Sequence, residues 1–301
     1  MKKLLTALCM LMLCVPSFSQ EVEEIHVYDA ISFVHALRSN RVVVVENNID
    51  FENELENLAK YNPDEIKVYR EYDKGDLKEL VKMTNYPYLT MENDGMQLNL
   101  REIHNLTIRG PKGTKPLLRI QPRYAYVLRF TDSDNIRLEN LVMGHTEGGY
   151  CEGGVVAFED CRDVTIDHCD LYGCGMEGIN FTRSMELKCT NSIIRDCTYQ
   201  IMDINTSRDI LFDNCIFTRN KEFTQLILRG SVNILFRNCQ ILNNQGSLIS
   251  VSACENVKME NCNISHDFGH LGDIEDIVLE GCTIWGSFGV KEEKKKKTET
   301  S

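Results

Sequence analysis

"RDILFDNCIFTR" (residues 208–219) is followed by "VNILFRNCQILN" (232–243) and "ENVKMENCNISH" (255–266), and laying these segments under one another decides the fold. The same pattern recurs in "DNIRLENLVMG" (134–144), "RDVTIDHCDLYG" (162–173), "MELKCTNSIIRD" (185–196) and "EDIVLEGCTIWG" (275–286). One column holds Cys169, Ser192, Cys215, Cys239, Cys262 and Cys282, at steps of 23, 23, 24, 23 and 20. A second runs Ser133, Cys161, Ser184, Ser207, Ser231 and Cys254, and a third Cys151, Cys174 and Cys197. Columns that agree on one period of about 23 residues mark a solenoid, in which each repeat is a coil stacked on the next.

Within a coil the apolar residues alternate, as half-buried strands require. Val164/Ile166, Leu187/Cys189, Ile210/Phe212 and Ile234/Phe236 belong to a first strand. Leu171, Ile194, Phe217, Ile241 and Ile264 belong to a second, and Val156/Phe158, Ile179/Phe181, Met202/Ile204 and Leu226/Leu228 to a third. Three strands in about 23 residues close a triangular coil, and stacked coils pair in parallel about 4.8 Å apart. The expected fold is all-β, a right-handed parallel β-helix. At the turn after the first strand stand His168, Asn191, Asn214, Asn238 and Asn261, where side chains can bond their equivalents above and below.

Outside the repeat, Lys2 and Lys3 precede the apolar run Leu4 to Val15, and small residues follow at Ser17 and Ser19. This reads as a signal peptide over 1–19 and an exported protein, secreted or periplasmic. The run is too short to span a bilayer, and Leu13 before Cys14 disfavours a lipoprotein site. Residues 20–104 read as an N-terminal cap and first coils with an insertion. Val27, Ala30, Ile31, Val34 and Leu37 form a helical stripe that would cover the open end of the core, and "RVVVVENNIDF" (41–51) reads as the first strand. Residues 52–96 break the pattern, with a short helix expected around Leu77 to Met83. The repeats occupy 105–290, and the lysine-rich tail 291–301, without an apolar residue, should be disordered.

The chain carries 33 Lys and Arg against 45 Asp and Glu, a net charge of −12. That balance argues against nucleic acid, whose phosphates call for clustered cations. Thirteen cysteines would ordinarily imply disulfides in an exported chain. Their columnar spacing instead assigns most of them to the core as packed thiols. Cys151 with Cys174 is the pair best placed to oxidise.

The ladders "RNCQI", "DNCIF" and "ENCNI" resemble repeats of the pectin-lyase-like superfamily of right-handed β-helices. The phrase "GHTEGGYCEGGVV…IDHCDLYGCGMEGI" resembles exported β-helix proteins common in gut Bacteroidetes. The resemblance implies a carbohydrate polymer as ligand, and a polysaccharide lyase or glycoside hydrolase if the protein is an enzyme. The superfamily's polygalacturonase motifs are missing; "GHLGD" (269–273) has Leu271 before its second glycine. No calcium-dependent lyase motif matches residue by residue either.

The register lists the outward residues of the first strand. One column runs Arg109, Glu139, Asp167, Thr190, Asp213, Arg237, Glu260 and Glu280, and the other Arg137, Thr165, Lys188, Leu211, Leu235, Lys258 and Val278. Glu139, Asp167 and Asp213 are the candidate catalytic acids, because carboxylates about 5–10 Å apart can work as a pair on a glycoside. Lys188 and Arg237 are candidates for binding an acidic sugar. The step from Ile136 to Val164 is 28, and the extra residues fall in "GHTEGGYCEGG" (144–154). Loops on a rigid scaffold tend to carry function, which adds His145 and Glu147 as substrate-binding candidates. No metal site is expected, with Ca²⁺ left open as a bridging ion, and no cofactor. The same surfaces can equally serve a non-catalytic envelope scaffold or partner-binding module, and a monomer is expected.

Overall fold

The computed structural model describes residues 22–51, 53–62, 64, 66–69, 85–147, 152–173, 175–266 and 270–286. The signal segment, the helix expected near Leu77, the pair Cys151 and Cys174, and the tail fall outside them. Three sheets wrap one apolar core. Sheet A has ten strands, from Glu23–Val27 and Arg41–Val45 through His104–Arg109 to Val278–Glu280. Sheet B has nine, from Ile49–Asp50 to Thr283–Trp285, and sheet C nine, from Val68–Tyr69 to Ser247–Ser252. Among the described residues every strand pair is parallel except Tyr86–Met91 with Met96–Arg101, a hairpin added to sheet C just before the regular repeats begin. The three strands per coil match the three apolar sets of the sequence, and the coils wind in the hand that parallel crossovers adopt.

The cysteine and serine columns sit at corners, where they do more than fit. Each corner leaves a backbone N–H facing the next coil, and the next coil's small polar side chain accepts it. Cys161 N–H donates to Ser184 Oγ (2.8 Å), Ser184 N–H to Ser207 Oγ (3.0 Å) and Ser207 N–H to Ser231 Oγ (3.0 Å). At the other corner thiols donate to carbonyls of the preceding coil, as Cys239 Sγ does to Phe212 O (3.5 Å). Burial pushes the Cys161 and Cys169 thiols up to about 12, so they stay protonated and unreactive. Asn191, Asn214, Asn238 and Asn261 all hold positive φ, between 51° and 55°, a conformation that Asn tolerates better than most residues. A second such ladder at the start of sheet A was hidden by its mixed composition. Asn135 donates to Asn105 (2.7 Å), Asn233 to Asp209 (2.8 Å) and Asn256 to Asn233 (2.8 Å).

The N-terminal end departs from expectation in two places. Glu23–Val27 is a strand that pairs outside Arg41–Val45, so "RVVVV" is the second strand of sheet A and Val27 is not part of a helix. "EEIHV" has only Ile25 and Val27 facing inward, too little alternation to be read as a strand. Helix α1 spans Ala30–Ala36, capped by Asp29, whose carboxylate accepts Ser32 N–H at 2.8 Å in a capping box. Its buried residues Phe33 and Val34 close the core, as a solenoid end requires. A second helix, α2 (Glu54–Tyr61), adds Leu55 and Leu58 to that cap.

Candidate functional site

The outward columns of sheet A fall where the period placed them. Glu139 pairs with Asp167, Asp167 with Thr190, Thr190 with Asp213 and Asp213 with Arg237; beside them Arg137 pairs with Thr165, Lys188 with Leu211 and Leu211 with Leu235. Glu139, Asp167, Asp213, Lys188 and Arg237 converge on one surface groove of about 460 Å³. Arg137, Thr165, Thr190, Asn191, Leu211 and Asn214 complete its lining. The asparagines belong to the turn ladder, and their place beside the column's acids is what brings them to the groove.

The three acids are not equivalent. Burial alone would raise Asp167, but bonds from Thr190 Oγ1, Asn191 Nδ2 (2.9 Å) and His168 Nδ1 (2.7 Å) outweigh it and hold the carboxyl below its ordinary value. The Arg237 guanidinium (2.7 Å), with Asn238 Nδ2 (2.9 Å) and the nearby Lys188 charge, likewise lowers Asp213. Both are therefore carboxylates at neutral pH, and neither can be the proton donor that glycoside hydrolysis needs. Glu139 takes part in no side-chain hydrogen bond or ion pair among the described residues. Lys188 is exposed and makes no ion pair within 4 Å there, and Arg137 reaches only the Thr165 hydroxyl (3.3 Å).

The inserted loop offers less to a ligand than its composition suggested. His145 is the last residue of a sheet B strand, 2% exposed, and its Nε2–H donates to Gly154 O (2.9 Å). It ties one end of the insertion to the other, away from the groove. Gly154 lies against the Tyr126 ring, where a Cβ would come within 2.3 Å of a ring carbon and so has no room, and the Tyr126 hydroxyl donates to the buried Glu177. Glu147 is exposed on the loop and does not line the groove. Among the described residues no group of three or more His, Cys, Asp or Glu is arranged to hold a metal ion, and no helix is long and apolar enough to cross a membrane.

Burial gives His145 a measurable signature. Desolvation lowers its pKa, so the folded chain resists a proton that the unfolded chain accepts near about 6.5. Its contribution to stability is complete above that value and is lost as the pH falls below it. Buried Glu177 has its pKa raised by desolvation and acts in the opposite sense, losing stability as the pH rises above the ordinary carboxylate range. Urea unfolding at pH 7.5 and 5.0 should show the wild type losing more stability on acidification than His145→Gln. Equal losses would mean that His145 is not buried neutral.

Several solved structures are similar to this chain. A pectate lyase from Paenibacillus sp. 0602 is 12% identical, with 82% of this chain and 72% of that one covered and a TM-score of 0.44. An alginate lyase from Paenibacillus sp. str. FPU-7 is 10% identical over 86% of this chain and 98% of that one, with a TM-score of 0.41. A thermostable pectate lyase is 10% identical over 88% and 80%, with a TM-score of 0.47. No curated protein matches the chain. The family model described as "Right handed beta helix region" matches residues 126–291, which carry the corner columns and the whole groove, and the chain belongs to that right-handed β-helix family.

Proposed function

We propose that this chain binds an acidic carbohydrate polymer along the outer face of sheet A and processes it at Glu139, after export directed by residues 1–19. The observation that carries the reading is a pair of groove cations, Lys188 and Arg137, that no carboxylate contacts among the described residues. In a chain of net charge −12, Lys188 and Arg137 stand two coils apart in one column, with Thr165 between them, and neither makes an ion pair among the described residues. Cations left unpaired in a concave polar site are available to a ligand's carboxylates. Glu139, without a side-chain partner among the described residues, is the carboxylate left open to a substrate, while Asp167 and Asp213 shape the floor.

Titration of the purified protein with polygalacturonate, alginate and neutral dextran tests the binding. Acidic polymers should bind and dextran should not; equal binding of all three, or of none, rejects the reading. Appearance of unsaturated products or new reducing ends tests the processing, and Glu139→Gln should abolish it while preserving affinity. The internal bonding of Asp167 and Asp213 favours a second reading, a non-catalytic binding module, in which acidic polymers bind but no product forms.

A further inference from the structure

The groove's second column carries two outward leucines where a solvated strand face would place polar residues. Leu211 and Leu235 are register partners, half-buried and adjacent, and Leu211 lines the groove. Lys188 precedes them in the column and Lys258 follows. Alongside, Asp213 and Arg237 neutralise each other at 2.7 Å, so this part of the floor presents apolar carbon beside an ion pair already satisfied. Neither lysine makes an ion pair within 4 Å among the described residues. The two ammonium groups are three coils apart, about 14 Å at the backbone.

On the reading of the groove given above, we infer that Leu211 and Leu235 form an apolar subsite for a methyl-bearing sugar substituent, set between two positions that take the polymer's acidic groups. The recognised chemistry is a small apolar group on an otherwise anionic chain. An O-acetyl ester and a methyl ester both supply it, and they differ in that acetylation leaves the polymer's carboxylates intact. The leucines make the substituent favourable by removing it from water, and the lysines set the register of the chain around it.

Titration of the full chain with three preparations of polygalacturonate tests this: unsubstituted, partly O-acetylated and partly methyl-esterified. The wild type should prefer one substituted form by about tenfold, in keeping with a few methyl-sized groups buried. Leu211→Thr/Leu235→Thr should lose that preference, its affinity falling further for the preferred substituted polymer than for the unsubstituted one. Threonine already stands at outward positions Thr165 and Thr190 of this sheet, so the exchange suits the strand; single Leu235→Thr, which should lose part of the preference, is the second variant. Equal wild-type affinity for all three polymers, or an equal loss for all three in both variants, overturns the subsite and leaves the groove standing. Failure of the wild type to bind any of them overturns both.

Discussion

Replacing Phe212 with Ala should cost about 3–5 kcal/mol of stability, the range for a large aromatic deleted from a packed core. Phe212 is fully buried, stacked on Phe236 at 5.0 Å and 7°, and set edge-on to Phe217 at 5.8 Å and 75°. The damage should also have a direction. In a solenoid each coil is held mainly by its two neighbours, so a cavity in a middle coil weakens the junction between the coils on either side. Trp285, the sole tryptophan, lies in the last strand with Nε1 bonded to Asn263 Oδ1 at 2.7 Å, and it reports on the C-terminal end. In urea, the midpoint followed by Trp285 fluorescence should fall below that followed by far-UV circular dichroism in Phe212→Ala. Coincident midpoints within about 1 kcal/mol of wild type would place Phe212 outside the core.

How much of this was legible in the sequence follows from which forces repeat every coil. Inward and outward residues of sheet A could be named from the period because a one-residue slip would put Ile210 and Phe212 in water. The five candidate residues that line the groove came from that same register, each at the later or earlier outward position. What could not be read lies where the chain stops repeating. Glu23–Val27 is a strand because Arg41–Val45 offers it an edge, a tertiary cause with little local signature. The hairpin Tyr86–Met91 with Met96–Arg101 breaks the parallel rule through one turn. His145 stood out chemically, yet its burial depends on a carbonyl nine residues away at Gly154. The internal pairing of the acids was also beyond the period. The columns placed Asp213 beside Arg237 and Asp167 beside Thr190, but only side-chain geometry joins them.

That pairing determines which cation should matter most to a ligand. Lys188→Ala removes an exposed charge that makes no ion pair within 4 Å among the described residues and acts on Asp213 only through space, so most of its loss falls on the ligand. If the ammonium meets a carboxylate, a charge-assisted bond of roughly 1.5–3 kcal/mol is lost, about 10- to 100-fold in affinity for an acidic polymer. The salt dependence of binding should shrink with it, and stability should stay within about 0.5 kcal/mol of wild type, as for a surface substitution. Arg237→Ala differs in kind. It frees the Asp213 carboxylate, so the groove loses a cation and gains an unneutralised anion, and the polymer meets repulsion as well as a missing contact. Isothermal titration at two salt concentrations separates these cases, because the repulsion in Arg237→Ala should ease as salt rises while the lost bond in Lys188→Ala is not restored. A Lys188→Ala protein that binds acidic polymer as tightly as wild type at low salt would remove the groove from the list of polymer-binding surfaces, however well its register is known.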